Sequence, residues 1–160
     1  RGHDAYLPHC LGHEASGLVV DAGPGVTKCQ PDDRVIMTWM QGSGANVPGT
    51  VYQWNDRQVN AGGVTTFQQH AVVSENRLVP LPDQVGGIEG ALLGCAVPTG
   101  FGAVWNAAQA TTGQSVAVFG TGGIGCSALA AARALDAAPL LAIDINDSRL
   151  QLAEQFGDGR

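Results

Sequence analysis

A glycine-rich loop is the part of this sequence best suited to chemistry. The loop reads Gly-Thr-Gly-Gly-Ile-Gly and comprises Gly120, Thr121, Gly122, Gly123, Ile124 and Gly125. An apolar, strand-like run over 115–119 precedes it, and an Ala-rich, helix-favouring stretch over 126–135 follows it. A second apolar run ends at Asp144, nineteen positions after the last glycine. This order of strand, loop, helix, strand and acidic residue is typical of a dinucleotide-binding βαβ unit.

Each position of this unit has a physical role in holding a dinucleotide. Gly120 allows the tight turn, Gly122 lets the backbone approach a pyrophosphate, and Gly125 lets the helix pack closely on the sheet. The N–H groups and the positive dipole at the helix start would bind the phosphates. Asp144 would accept hydrogen bonds from both adenosine ribose hydroxyls and would repel a 2′-phosphate, which predicts NAD rather than NADP. The alternative is a glycine-rich surface turn in another kind of α/β protein.

Composition and charge restrict the class of protein and its partners. The 160 residues are 44% hydrophobic, which is enough for one ordinary domain or two small ones. A net charge of −6 without a Lys/Arg cluster argues against nucleic acid and anionic membranes as partners, so a small-molecule ligand is expected. No apolar stretch approaches the roughly 18 residues of a membrane span, and the first residues do not resemble a secretory signal. These features predict a cytoplasmic protein.

The spacing of the four cysteines restricts the kinds of disulfide and metal site that the chain can form. They stand at positions 10, 29, 95 and 126, with no CxxC pair among them. The spacing therefore predicts neither a disulfide framework nor a closed structural zinc site, and reduced thiols fit a cytosolic enzyme.

Hydrophobic patterning predicts two regions with different secondary structure. Short apolar runs separated by turn residues predict a small all-β unit up to about residue 82, with strands over 17–20, 34–37, 70–73 and 78–81. The stretch 41–63 lacks clear periodicity and is predicted to be an irregular loop. Farther along, 88–108 predicts two helices interrupted at Pro98-Thr99-Gly100, and 147–156 predicts a last helix. Because a doubly wound sheet needs more than two parallel strands, the chain is expected to be a piece of a longer enzyme.

Several motifs together resemble the zinc-dependent medium-chain alcohol dehydrogenase family. In chain order they are Gly12-His13-Glu14-Ala15-Ser16-Gly17 with Gly23 and Val26, Pro31-Asp32-Asp33-Arg34-Val35, Leu93-Gly94-Cys95 with Thr99-Gly100, and the glycine-rich loop with Ala142-Ile143-Asp144-Ile145-Asn146. The resemblance covers nearly the whole chain. It implies a fold of α/β and β class, with a GroES-like β-barrel catalytic domain over 1–88. The start of a Rossmann doubly wound parallel sheet follows over 89–160, with a catalytic zinc in the cleft between the two domains.

The same resemblance implies roles for single residues. His13 and Cys95 match two of the zinc ligands, and Glu14 matches the acidic neighbour that tunes the metal and can act as an alternative ligand. Thr99 resembles the residue beside the nicotinamide. Arg149 resembles the basic residue near the adenosine ribose, although an ordinary solvated charge would look the same. The family's chemistry transfers hydride between a zinc-bound alcohol and NAD.

The sequence also departs from the family pattern. The family's upstream cysteine ligand and its proton-relay hydroxyl have no counterpart in the chain, which predicts an incomplete zinc site. Cys10 is either a substitute zinc ligand or a residue packed at the start of a strand. His3 and His9 are either candidates for the proton relay or surface residues. The four-cysteine structural lobe is absent, so one catalytic zinc per subunit is predicted. Asp32 replaces the usual turn glycine and must tolerate a left-handed backbone.

Two other functions are compatible with this fold. One is a zinc-free quinone or enoyl reductase, which would need neither His13-Glu14 nor Cys95. The other is a non-catalytic nucleotide-binding piece. In the full-length protein the family also implies a homo-oligomer.

Overall fold

The chain divides into two compact units, residues 1–95 and 96–160. The computed structural model describes residues 6–156, and its mixed β and α/β content confirms the predicted fold class. His3 lies outside the described residues. No helix within 6–156 combines the length and hydropathy needed to cross a lipid bilayer.

The first unit is built mainly from short antiparallel strands. Its elements are β1 (Ala15–Leu18), β2 (Arg34–Met37), β3 (Thr50–Trp54), β4 (Arg57–Gly62), a 3₁₀ turn (Glu75–Arg77), β5 (Leu78–Pro80) and α1 (Gly87–Leu92). Strand β2 lies between β1 and β5 and pairs antiparallel with both. Its β-branched residues Val35 and Ile36 are 4% and 5% exposed, as expected of a central strand. The strand predicted at 34–37 is therefore confirmed.

The stretch 41–63 is more regular than predicted. Strands β3 and β4 form an antiparallel hairpin that runs from Thr50 paired with Gly62 to Trp54 paired with Arg57. Asn55 in the connecting turn has φ 55°, a left-handed conformation that Asn tolerates better than most residues. The prediction of an irregular loop is wrong here because polar side chains masked the strand pattern.

The strand predicted at 70–73 does not form. The backbone N–H of Val72 donates to the Tyr52 hydroxyl at 2.9 Å, and its carbonyl accepts from the Thr50 hydroxyl at 3.0 Å. Side chains of β3 therefore satisfy both backbone groups that a strand would have used in a ladder. The apolar run indicated burial, but it could not indicate this partner.

The second unit contains the predicted βαβ arrangement. Its elements are α2 (Ala96–Gly102), a π-helical turn (Ala103–Ala107), β6 (Val116–Phe119), α3 (Gly123–Arg133), β7 (Leu140–Ile143), α4 (Asp147–Ala153) and a 3₁₀ turn (Glu154–Phe156). Strands β6 and β7 pair in parallel, from Val116 with Leu140 to Phe119 with Ile143. Small residues of α3 form the buried core with Val104, because alanines allow the helix to approach the sheet and α2 closely: Ala128, Ala131 and Ala132.

The helix break lies earlier than predicted. Helix α1 ends at Leu92 and α2 begins at Ala96, so the interruption falls at 93–95 and not at Pro98-Thr99-Gly100. Pro98 is in the first turn of α2, where a missing N–H costs no helical hydrogen bond. A Cβ at Gly100 would lie 2.5 Å from Ser127 Cβ and 2.6 Å from Ala128 N, so this glycine permits the close approach of α2 to α3.

A buried carboxylate organises the loops of the first unit. Glu75 is 4% exposed and accepts hydrogen bonds from the backbone N–H groups of Thr27 (2.7 Å), Lys28 (2.5 Å) and Ala45 (2.6 Å). These hydrogen bonds, led by the one from Ala45, lower the pKa of Glu75. The folded state therefore favours the ionised carboxylate.

We expect Glu75→Gln to destabilise the chain at neutral pH, because an amide can neither carry the charge nor accept all of these N–H groups. Since the folded pKa is the lower one, the stabilisation by Glu75 is complete above the unfolded pKa of about 4.3 and is lost as the pH falls toward the folded value. Urea unfolding at pH 7 and near pH 4 measures this. Glu89→Gln, at an exposed position, is the control. An equal loss in the free energy of unfolding for Glu75→Gln at both pH values would contradict the prediction.

Candidate functional site

Strand pairing in the first unit places His13 next to the end of β2. Ala15 at the start of β1 pairs with Met37 at the end of β2, and His13 precedes Ala15 by two residues. On the other side, the Thr38 hydroxyl just beyond β2 donates to the carbonyl of Gly94 at 2.8 Å. Both contacts are made at the same end of β2, so His13 and the residue after Gly94 converge there.

Two further contacts keep the segment around Gly94 close to β2. A Cβ on Gly94 would collide with the carbonyl oxygen of Met37, so only glycine allows the chain to pass so close to β2. The Ser16 hydroxyl of β1 donates to the carbonyl of Gly87 at 2.5 Å and thereby fixes the start of α1. The segment that follows α1 carries Cys95.

The convergence brings two metal-binding side chains together. His13 Nε2 lies 3.3 Å from Cys95 Sγ, although the residues are 82 positions apart in the chain. His13 is exposed and Cys95 is half-buried. Tetrahedral zinc with bond lengths of about 2.3 Å to sulfur and 2.0–2.1 Å to nitrogen would separate its ligand atoms by roughly 3.6 Å. The observed spacing and the imidazole and thiol donors therefore fit two ligands of one zinc ion.

Glu14, Cys10 and His9, the other described residues considered for the metal site, do not join His13 and Cys95 in a group of three metal ligands. Glu14 follows His13 in the chain and is half-buried. Cys10 and His9 lie in a segment that pairs with β4, where the N–H of Cys10 donates to the carbonyl of Asn60 at 2.8 Å. Within 6–156 no three His, Cys, Asp or Glu side chains are grouped to hold a metal ion. His13 and Cys95 are therefore a two-donor arrangement in the described part of the chain.

In the second unit the glycine-rich loop connects β6 to α3. Gly120 has φ +86°, and its N–H donates to the carbonyl of Ile143 at 2.7 Å, which extends the β6–β7 pairing by one residue. A Cβ on Gly125 would collide with the Gly120 carbonyl oxygen, whereas Cβ atoms on Gly122 or Gly123 would meet no atom within 4 Å. This open backbone surface at the start of α3 fits a phosphate group.

Asp144 lies at the end of β7, against the glycine-rich loop. Its Oδ2 accepts from the Thr121 N–H at 2.7 Å and from the Thr121 hydroxyl at 3.1 Å, and its Oδ1 accepts from the Asn146 N–H at 3.0 Å. The hydrogen bond from the Thr121 N–H is the main cause of a lowered pKa of Asp144. Arg149 Nη1 lies 3.9 Å from Oδ2 on a side chain that is 57% exposed.

Thr99 lies on α2, where it is exposed. The next residue, Gly100, packs against the first turn of α3, with its Cβ position 2.6 Å from the Ile124 carbonyl oxygen. Thr99 is therefore carried by the helix that packs on the start of α3.

Sequence reasoning missed two positioning residues. Thr38 was not singled out, although a threonine that follows a buried strand and precedes Trp39 is a polar residue in an apolar setting. The glycine-rich motif predicts that Thr121 lies in the loop but does not predict the burial of its hydroxyl. The apolar neighbours of Thr38 and the glycines beside Thr121 do not identify the partner of either hydroxyl.

Comparison with known proteins identifies the family of this chain. The model of the alcohol dehydrogenase GroES-like domain matches residues 1–83. The S-(hydroxymethyl)glutathione dehydrogenase of Photobacterium damsela subsp. piscicida is 36% identical over 96% of this chain, a region that is 48% of that protein. The chain thus spans about half the length of the curated relatives it matches.

Solved structures agree with the sequence comparison. An alcohol dehydrogenase zinc-binding domain protein from Burkholderia ambifaria matches 94% of this chain and 48% of its own, with a TM-score of 0.84 and 30% identity. Benzyl alcohol dehydrogenase from Acinetobacter calcoaceticus matches 97% of this chain and 48% of its own, with a TM-score of 0.79 and 32% identity. The strand pairing, the His13–Cys95 approach and these matches agree: the chain belongs to the alcohol dehydrogenase family with a GroES-like domain.

Proposed function

We propose that this chain is part of a zinc-dependent oxidoreductase that transfers a hydride between an alcohol, aldehyde or ketone and NAD. The observation that carries the proposal is the 3.3 Å separation of His13 Nε2 and Cys95 Sγ. Imidazole and thiolate suit zinc, and an enzyme that polarises an oxygen substrate needs such a metal with one open position. Membership of the family supports the same reaction class.

The metal would be held by His13 and Cys95, with Glu14 beside it. Zinc, when bound, supplies the Lewis acidity that makes an alcohol acidic or polarises a carbonyl. The neutral imidazole of His13 and the thiolate of Cys95 are the forms of these side chains that bind zinc. Glu14 would act through its negative charge near the metal. A single catalytic zinc per complete subunit is part of this proposal.

NAD would be held by the second unit. The N–H groups around Gly122 and Gly123 would bind the pyrophosphate, and Asp144 would bind the adenosine ribose. The negative charge of Asp144 is unfavourable for a 2′-phosphate, which supports NAD over NADP. Thr99 is proposed to lie beside the nicotinamide, and Arg149 near the ribose.

The proposal also covers the remaining features of the whole protein. We propose a small-molecule substrate, a catalytic domain over 1–88, a Rossmann NAD-binding domain over 89–160, a homo-oligomer and a cytoplasmic location. Two relatives point to test substrates, since one is named for S-(hydroxymethyl)glutathione and another for benzyl alcohol.

The reaction class is tested in the full-length protein by following NAD reduction spectrophotometrically after loading with zinc. The substrates would be benzyl alcohol, S-(hydroxymethyl)glutathione, and a set of primary, secondary and sugar alcohols. We expect turnover with at least one of them and loss of turnover after chelation. Reduction of a quinone or enoyl compound that survives chelation would favour the zinc-free reductase, and NAD binding without turnover on any substrate would favour the non-catalytic function.

We expect Co²⁺ to bind the chain and to show a thiolate-to-cobalt charge-transfer band in the near ultraviolet. Cys95→Ser should abolish the band because it removes the sulfur ligand, and His13→Ala should weaken Co²⁺ binding by about tenfold or more. Cys10→Ser is the matched control, since it removes another thiol of the same unit. A band that survived Cys95→Ser but disappeared in Cys10→Ser would refute this ligand assignment.

Two glycine variants should separate folding from cofactor binding. Gly125→Ala must shift the loop away from the Gly120 carbonyl, so we expect a loss of about 1–3 kcal/mol in the free energy of unfolding. Gly122→Ala meets open space and should leave the thermal midpoint unchanged, while its methyl group lowers NAD affinity by about tenfold or more. Thermal unfolding and calorimetric NAD titration measure the two effects. Normal NAD affinity in Gly122→Ala would contradict the assigned phosphate site.

Asp144→Asn should reduce the preference for NAD over NADP by about tenfold, because it removes the charge that repels a 2′-phosphate. The readout is the ratio of the two dissociation constants. Asp147→Asn is the control, because it removes an exposed carboxylate from the first turn of α4. An unchanged ratio in Asp144→Asn would show that another group reads the ribose.

A further inference from the structure

Thr121 is the one non-glycine residue in the first four positions of the glycine-rich loop, and it is 1% exposed. All of its polar atoms are engaged. Its N–H and its hydroxyl both donate to Asp144 Oδ2, at 2.7 Å and 3.1 Å, and its carbonyl accepts from Cys126 Sγ at 3.3 Å. A carboxylate can only accept, so the hydroxyl is the donor in this pair.

These bonds determine how much of the Asp144 carboxylate is available to a ligand. A carboxylate offers about four acceptor sites, two on each oxygen. Thr121 occupies both sites on Oδ2, and the Asn146 N–H at 3.0 Å occupies one on Oδ1. The Asp144 side chain is 3% exposed. One acceptor site therefore remains, on Oδ1, so Asp144 in this rotamer can accept from one ribose hydroxyl and not from both as the motif predicts.

Packing alone does not account for a threonine at this position. Valine has the same shape, and burying a hydroxyl is unfavourable unless it makes a hydrogen bond. The hydroxyl at Thr121 makes its bond to a charged group, which is a strong type of hydrogen bond. Without it, the Thr121 N–H and the exposed Arg149 guanidinium would be the remaining contacts of Oδ2.

We propose that Thr121 is a positioning residue for cofactor selection: its hydroxyl holds the Asp144 carboxylate in the single rotamer that directs Oδ1 to an adenosine ribose hydroxyl. This rests on the proposed use of NAD. A carboxylate held in place cannot turn away from a 2′-phosphate, so its charge discriminates fully against NADP. A carboxylate free to rotate would bind the ribose less well and tolerate the phosphate better.

The test compares Thr121→Val and Thr121→Ser in the full chain, with NAD and NADP titrated by calorimetry. Thr121→Val keeps the shape and removes the hydroxyl, so we expect NAD to bind about five- to tenfold more weakly while NADP binding is not weakened. Thr121→Ser restores the hydroxyl and should restore the ratio of the two dissociation constants. Thr112→Val, at an exposed threonine of the same unit, is the matched control. Thermal unfolding of each variant reports on the fold separately.

The outcomes distinguish this inference from the proposed function. If Thr121→Val weakened NAD and NADP equally, Thr121 would serve only to pack the loop, and the inference would be wrong. An unchanged ratio, or a failure of Thr121→Ser to restore it, would also overturn the inference while leaving NAD binding intact. If the unaltered chain bound neither dinucleotide, the proposed NAD site itself would fail, and the inference with it.

Discussion

The close contact between Gly94 and the end of β2 is the constraint on which the candidate metal site depends. The Met37 carbonyl leaves no room for a Cβ at Gly94, and the Thr38 hydroxyl fixes the Gly94 carbonyl. Cys95 follows directly, while His13 is placed by the pairing of β1 with the same strand. Two side chains far apart in the chain thus approach within 3.3 Å through backbone contacts at one strand end. A register shift of one residue in β1–β2 would turn the side chains of β1 to the other face and displace His13 from Cys95.

A similar arrangement operates in the second unit, again at the ends of paired strands. Parallel pairing of Phe119 with Ile143 brings the glycine-rich loop beside Asp144. Gly120 continues the ladder by one hydrogen bond, and the next N–H, from Thr121, goes to the carboxylate. The loop thereby combines an open backbone surface for an anion with an adjacent, fixed negative charge. In the proposed function, the open surface binds the pyrophosphate and the carboxylate disfavours a 2′-phosphate.

Local chemistry explains why parts of the fold were predictable. The strand over Arg34–Met37 and the βαβ unit were predicted because apolar periodicity and glycine spacing are local signals. Asp32 was expected to tolerate a left-handed turn and has φ 74°. The 3₁₀ end of the last helix, Glu154–Phe156, also lies within the predicted range. Two of the wrong predictions involve partners distant in sequence, Tyr52 with Val72 and Gly100 with α3. The β3–β4 hairpin was missed because polar side chains masked its pattern.

The sequence alone determined which chemical groups are present and in what order: an imidazole next to a carboxylate, a thiol after a glycine, and a glycine-rich loop followed by an acidic residue. It could do so because motif spacing depends on residue types and short-range geometry. Only the tertiary structure decided that His13 meets Cys95, that Thr121 binds Asp144, and that Glu75 gathers the loops around it. These contacts form between residues brought together by strand pairing and helix packing, which satisfy buried polar groups with partners that no local pattern specifies.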